Sequence, residues 1–367
     1  MNKLRSLTVL RAIAATTVIF FHTLAPTGHT FGEFGVDIFF VLSGFVIALV
    51  LDSPGMTVGR FLADRIARIV PLYWLLTFSV FAGTLIAPSL FNSTTANFGN
   101  LLKSLLFIPY RKESGEIFPM LFVGWTLNYE MMFYLVAAMS LILVRRHRLL
   151  FASALIFTIF CALKASGSHG AIATFYSYQR VFEFPLGFVS YWLWRLGIRI
   201  TPVLAGCIVA GAYAWMAFVD WHAMADIPLL YYGIPAFLMV MGSLSLESKI
   251  GSGLLMRGAI FVGDASYAVY LSHPYCVEAA RKLLPGVINN FDVTAPIGVA
   301  TIIVVATAVG GILYRFVDRP LHKSARRLLQ WLARMPLHGT RHAGLNQPVM
   351  AIHEGAARKV PVKQDAS

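Results

Sequence analysis

Ten apolar runs, separated by polar connections, lie near residues 6–25, 35–51, 70–90, 125–144, 149–165, 176–196, 201–219, 229–246, 259–283 and 293–317. Each is about as long as a helix that crosses a bilayer. The pattern predicts an all-α polytopic membrane protein with about ten transmembrane helices. The second run is short, and Glu183 and Pro185 interrupt the sixth. Residues 91–124 form the longest connection, where "NFGNLLKSLLFIPY" predicts a short interfacial helix. After Pro320 the chain turns polar and basic. Residues 1–322 are read as one transmembrane domain and 323–367 as a basic tail, in which "SARRLLQWLARM" is expected to lie as an amphipathic helix on the inner membrane surface. From about residue 337 no folded structure is expected. No internal repeat is evident, which weighs against transporter folds built from repeated halves.

Composition supports this picture. The 367 residues are 57% hydrophobic and only 13% charged, with a mean hydropathy of +0.69, which excludes an ordinary soluble domain. A net charge of +13 raises the question of nucleic acid, but the basic residues fall mostly in short connections, where the positive-inside rule accounts for them. Nucleic acid is therefore not an expected partner. Cys161, Cys207 and Cys276 lie in apolar runs without pairing or ligand spacing, so neither a disulfide framework nor a metal site is expected. The first run could pass for a signal peptide, but Pro26 directly after Ala25 makes a poor cleavage site, and the segment is read as retained.

Loop charge sets the orientation. With the N-terminus cytoplasmic, Arg60, Arg65 and Arg68, the "RRHR" at 145–148 and the basic tail all face inward, and both termini are cytoplasmic. Lys103, Arg111, Lys112, Arg281 and Lys282 are outward exceptions. A bacterial inner, cytoplasmic membrane is the expected location.

Candidate chemistry sits inside the apolar runs. Arg11 and His22 are eleven residues apart and share a helix face, about 16 Å from each other. The plainer reading is a snorkelling arginine and a hydrogen-bonded core histidine. Depth argues for more. In the predicted topology Asp37, Glu130, Tyr270 and His273 all fall toward the outer side, with Ser43 nearer mid-membrane, and intramembrane carboxylates are costly unless paired or wet. Their grouping predicts a polar cavity opening outward. A structural ion pair is the competing explanation for Glu130 and Asp37. On the inner side, Arg65 and Arg68 share a face at i, i+3 and suit phosphate oxygens, although topology alone also explains arginines there.

These residues together resemble a family. Arg11 with ten residues before His22, "FFVLSGF" at 39–45, Arg65-x-x-Arg68 followed by Pro71 and "YW", "GWTLNYEMMFYL" and "GDASYAVYLSHP" are similar, in order and spacing, to the acyltransferase-3 family of membrane O-acyltransferases, above all its exopolysaccharide branch. The resemblance covers about residues 4–322. It implies transfer of an acyl group, usually acetyl, from cytoplasmic acyl-CoA to a hydroxyl of a glycan or lipid-linked oligosaccharide, with no bound cofactor. His22 is then the catalytic candidate, as general base or acyl carrier, with Glu130 or Asp37 holding its tautomer. Arg11, Arg65, Arg68, Ser43, Tyr270 and His273 are the substrate-binding candidates. Asp318 stands in "VDRP" where relatives often carry Glu, and no extracellular esterase-like domain is expected after the last span. The reading from another class is a proton-coupled transporter or flippase, since carboxylates and histidines also serve proton relays. The acceptor sugar and the oligomeric state are not readable from the sequence.

Overall fold

The computed structural model describes residues 4–28, 31–90, 94–224, 226–287 and 292–332. Expectations for the tail beyond 332 lie outside the described residues. The chain runs through α1 (Arg5–Leu24), α2 (Gly35–Leu51), α3 (Val58–Ile86), the short α4 (Phe98–Leu105), α5 (Trp125–Leu143), α6 (Arg148–Ala165) and the short α7 (Ala171–Tyr176). It continues through α8 (Glu183–Arg195), α9 (Pro202–Trp221), α10 (Ile234–Ser245), α11 (Leu254–Val287), α12 (Pro296–Leu313) and α13 (Arg319–Leu332), with no strand among the described residues.

All ten apolar runs become helix. Among the described residues seven helices are long and apolar enough to cross a membrane; α2, α8 and the segment Leu229–Ser245 are shorter. Apolar side chains face out, with Leu135, Ile142, Val203, Leu255 and Val304 all exposed, while Asp37, Arg180, Glu183 and His273 are buried. That inversion fits a bundle surrounded by lipid, whose polar groups must find partners inside.

Helix ends depart from the hydropathy pattern where proline is involved. The third helix begins at Val58, twelve residues before the apolar run, and Pro71 lies within it. Arg65 and Arg68 therefore stand on a rigid helix rather than on the loop before it. Pro320 does not end the last span either. A π-turn at Tyr314–Asp318 joins α12 to α13, as another at Leu229–Gly233 leads into α10 just ahead of Pro235. A wider i→i+5 turn accommodates a residue that lacks an N–H and crowds the preceding carbonyls.

Two glycines set a close helix crossing. A side chain on Gly44 of α2 would strike the Phe184 carbonyl of α8, and one on Gly187 of α8 would strike the Val41 carbonyl of α2. Small residues at such a crossing let backbones touch, and dispersion replaces the hydrophobic drive that lipid does not supply. At its start α1 is held from across the chain: Glu247 accepts the backbone N–H groups of Arg5 (2.9 Å) and Ser6 (2.7 Å), satisfying donors that a helix N-terminus leaves free. Burial alone would raise the pKa of this carboxyl, but the hydrogen bonds from Ser6 and Arg5 outweigh it and hold the group below its ordinary range.

Candidate functional site

Two cavities occupy opposite ends of α1. The near-end cavity, where α1 and α3 begin, has a volume of about 340 Å³. Arg11, Arg65, Arg68, His322 and Arg326 line it, with Asp64 and Glu130 as the acidic members. Arg11 donates from Nε to Ser266 Oγ (3.1 Å) and lies 5.5 Å from the centre of the Phe39 ring. Arg68 is paired with buried Asp318 (3.1 Å) and stacks over Tyr267 at 5.1 Å. Arg65 lines the same space, and its buried Nε has no hydrogen-bond partner among the described residues. The amphipathic α13 closes this end: Arg326 makes a two-pronged contact with Asp64 of α3 (2.7 and 3.1 Å), and Gln330 adds a third bond at 2.8 Å.

Glu130 belongs to this near-end cavity. Tyr134 donates to it, and Ser43 Oγ lies 3.5 Å away. Ser43 and Gly44 thus divide the work of adjacent positions, one turned toward Glu130 and the other making room for α8.

The far-end cavity, about 580 Å³, has a different wall. His22, Glu33, Arg111 and Arg180 line it together with the aromatic side chains of Trp125 and Tyr178. His22 sits in the last turn of α1. Arg281 of α11 donates to the His22 carbonyl (2.6 Å), fixing the helix end that carries the imidazole. The His22 ring meets Phe122 edge-on (centroids 5.1 Å apart) and lies beside His273 at 4.9 Å. His273 is fully buried, and neither of its ring nitrogens has a hydrogen-bond partner among the described residues. A buried polar group left so is costly and marks a place where a partner is wanted.

The structure therefore gathers the sequence candidates into two groups instead of one outward cavity. Arg11, Arg65, Arg68, Ser43 and Glu130 share the near end, and His22 and His273 the far end. Asp37 joins neither wall. It is fully buried beneath the far-end cavity, paired with Arg180 Nε at 3.1 Å. No hydrogen bond from Glu130 or Asp37 to the His22 ring is present among the described residues, because Tyr134 and Ser43 engage the first carboxylate and Arg180 the second. Tyr270 lines both cavities, as does Val36. Its hydroxyl donates to the Val123 carbonyl (3.0 Å) and accepts from Thr126 Oγ (3.1 Å), so the ring is held as a partition between the two spaces.

Several members escape a reading of the sequence. Glu33 and Arg180 are ion-paired at 2.8 Å, yet one lies in a turn before α2 and the other in a 3-10 turn before α8. His322 ends the expected transmembrane domain and Arg326 falls in the tail, where basic residues are expected for topological reasons alone. Among the described residues no group of three His, Cys, Asp or Glu side chains could hold a metal ion.

A bundle of apolar helices with ionisable cavities at both ends defines a polytopic membrane protein with an enclosed polar site, and comparison with known proteins makes it an acyltransferase. Residues 4–315 match the model of an acyltransferase domain, and the chain belongs to the acyltransferase-3 family of membrane O-acyltransferases. It is 35% identical to the exopolysaccharide production protein ExoZ of Rhizobium meliloti over 321 residues, which cover 85% of this chain and 98% of that one. It is 27% identical to the acyltransferase MdmB of Streptomyces mycarofaciens, covering 79% and 81%. With the peptidoglycan O-acetyltransferase OatA of Listeria monocytogenes it shares 25% identity over 86% of this chain but only 55% of the relative, so it spans about half of that longer protein. No solved structure matches the chain.

Proposed function

We propose that the protein moves an acyl group, specifically acetyl, from acyl-CoA on the cytoplasmic side to a hydroxyl of an exported or cell-surface polysaccharide on the other side of a bacterial inner membrane. The observation that carries this reading is the pair of cavities at opposite ends of α1, cationic at one end and histidine-bearing at the other, divided by Tyr270 and Val36. The near-end guanidinium groups suit the phosphates of a CoA nucleotide, which bind such forks through charge-assisted hydrogen bonds. Arg11 and His22 on one helix face mark the span of about 16 Å that an extended pantetheine arm would bridge. The near end is read as cytoplasmic, with both termini there, because its connections carry the arginines. The exopolysaccharide name of one relative and the acetyltransferase name of another support the acceptor and the acyl group.

On this reading His22 takes the proton of the acceptor hydroxyl as its oxygen attacks the thioester carbonyl. The new C–O ester bond forms, the C–S bond breaks, and the proton passes from the imidazole to the departing CoA thiolate. A neutral imidazole suits this task, since one ring nitrogen carries a free lone pair that can accept the hydroxyl proton and hand it on. His273, tilted beside it with no hydrogen-bond partner among the described residues, would orient the ring or the acceptor. Glu130 and Ser43 would line the path of the arm from the near end.

The test is transfer of label from acetyl-CoA to polysaccharide by purified protein in lipid nanodiscs. His22→Ala should abolish transfer while leaving expression and melting unchanged. Transfer at the wild-type rate by a folded His22→Ala protein overturns the mechanism.

A further inference from the structure

The far-end cavity holds an acidic group that the chemistry at His22 does not use. Glu33 lines the same cavity as His22, and its side chain keeps 38% of its exposure although Arg180 Nη1 lies 2.8 Å from one carboxylate oxygen. Arg180 itself is 6% exposed and anchored below by fully buried Asp37, and it lies 5.5 Å from the Trp125 ring and 5.7 Å from that of Tyr178. The turn that carries Glu33 is clamped from α9. Asp220 accepts the backbone N–H groups of Gly32 (2.6 Å) and Glu33 (3.2 Å) and is itself held by the Tyr232 hydroxyl at 3.0 Å. Gly32 takes a φ of +109° there, a conformation that L side chains rarely adopt.

So much fixing of one carboxylate is hard to explain as a structural ion pair. Asp37 already neutralises the buried guanidinium, and a surface partner would need no clamped turn to hold it. What the arrangement provides is a rigid hydrogen-bond acceptor at the mouth of the cavity, next to flat aromatic faces. A pyranose ring needs both. Its hydroxyls donate to a carboxylate, charge-assisted and in pairs, while its C–H faces rest on the electron-rich faces of aromatic rings.

We propose that Glu33, braced by Arg180, grips the hydroxyls of the acceptor sugar beside His22, with Trp125 and Tyr178 as its stacking surface. Glu33 is thus a positioning residue for the acceptor, and the inference rests on the acyl-transfer reading above. It selects a sugar presenting free adjacent hydroxyls and disfavours one carrying a carboxylate at that point, where like charges would meet.

The experiment uses membranes from a deletion strain, which carry the native unacylated polysaccharide, with purified full-length enzyme and labelled acetyl-CoA. Glu33→Ala should raise the polysaccharide concentration for half-maximal transfer by about tenfold or more, the loss expected for a hydrogen bond to a charged group. The half-saturating acetyl-CoA concentration and the slow hydrolysis of acetyl-CoA by water should stay within about twofold of wild type, which also shows that the variant is folded. Glu33→Gln, which keeps an acceptor oxygen, should recover most of the loss. Unchanged polysaccharide dependence in Glu33→Ala, or equal losses for donor and acceptor, overturns the role of Glu33. Wild-type protein that labels no polysaccharide overturns the acyl-transfer reading itself, and this inference with it.

Discussion

Replacing Arg65 and Arg68 one at a time should separate donor binding from folding, because the two arginines have different partners although they share a face. Arg65 has a buried Nε without a partner among the described residues, so its guanidinium is the better placed of the two to meet an incoming phosphate. Arg65→Gln should remove one charge-assisted contact, about 1.5 to 3 kcal/mol, or roughly ten- to a hundredfold in the Kd for acetyl-CoA. Stability should hardly change. Arg68 answers Asp318, whose side chain is only 3% exposed. Arg68→Gln would strand that carboxylate, at a cost near the low end of the 3 to 5 kcal/mol typical of a broken buried pair, about 3 kcal/mol because the arginine side chain is itself 25% exposed. The melting temperature should fall clearly. Adding Asp318→Asn to Arg68→Gln should restore most of the melting temperature and none of the affinity lost with the guanidinium. The assays are calorimetric titration with a non-hydrolysable acetyl-CoA analogue and fluorescence-detected melting, both in nanodiscs. Wild-type affinity in Arg65→Gln would reduce that residue to a topology signal, and a wild-type melting temperature in Arg68→Gln would show that the Asp318 pair contributes nothing.

Gly44→Leu should destabilise the protein by about 3 kcal/mol or more, since the new side chain meets backbone of α8 and neither helix can yield without moving Ser43; melting in detergent checks this. Glu247→Gln should lower the melting temperature at neutral pH by weakening the support at the start of α1, a contact worth about 0.5 to 2 kcal/mol. Because the folded carboxyl titrates below its ordinary range, that contribution is fully present above the ordinary value of 4.5 and is lost as pH falls through the lowered folded value, so the two proteins should converge once the pH lies below that folded value. A gap that persists there would exclude the charge as the cause. Sidedness is tested by single cysteines in a cysteine-free background: Ser168→Cys should react with an impermeant reagent from outside the membrane, and Ser324→Cys only after the membrane is opened. Labelling of Ser324→Cys from outside would invert the proposed donor side.

Hydropathy made the helices legible because, in lipid, apolar length decides what spans, and all ten runs became helix. Their ends were less legible. The chain around Pro71 and Pro320 reads as boundaries, yet helix 3 runs through the first, and a π-turn carries the last helix past the second. The arginines of the near end could be grouped from spacing, since Arg65 and Arg68 are neighbours on one helix and Arg11 is at matching depth. Asp37 and Glu130 could not be assigned, because depth alone does not say which way a side chain turns. One faces Arg180 and the other Tyr134. Glu33 carries no local signal at all. Its meaning depends on a partner that arrives with a distant turn and on an aspartate from α9 that holds its backbone.

The partition made by Tyr270 has an electrical consequence. The field across an energised membrane acts on every charge that crosses it, at about 2.3 kcal/mol per elementary charge for each 100 mV. If the phosphates stay among the near-end arginines and only the uncharged pantetheine arm with its acyl group passes the aromatic wall, a turnover moves no net charge through the field. An aromatic ring locked by Val123 and Thr126 is also a poor conduit for ions and protons. A cell could then run the enzyme at any membrane voltage without either driving it or being discharged by it.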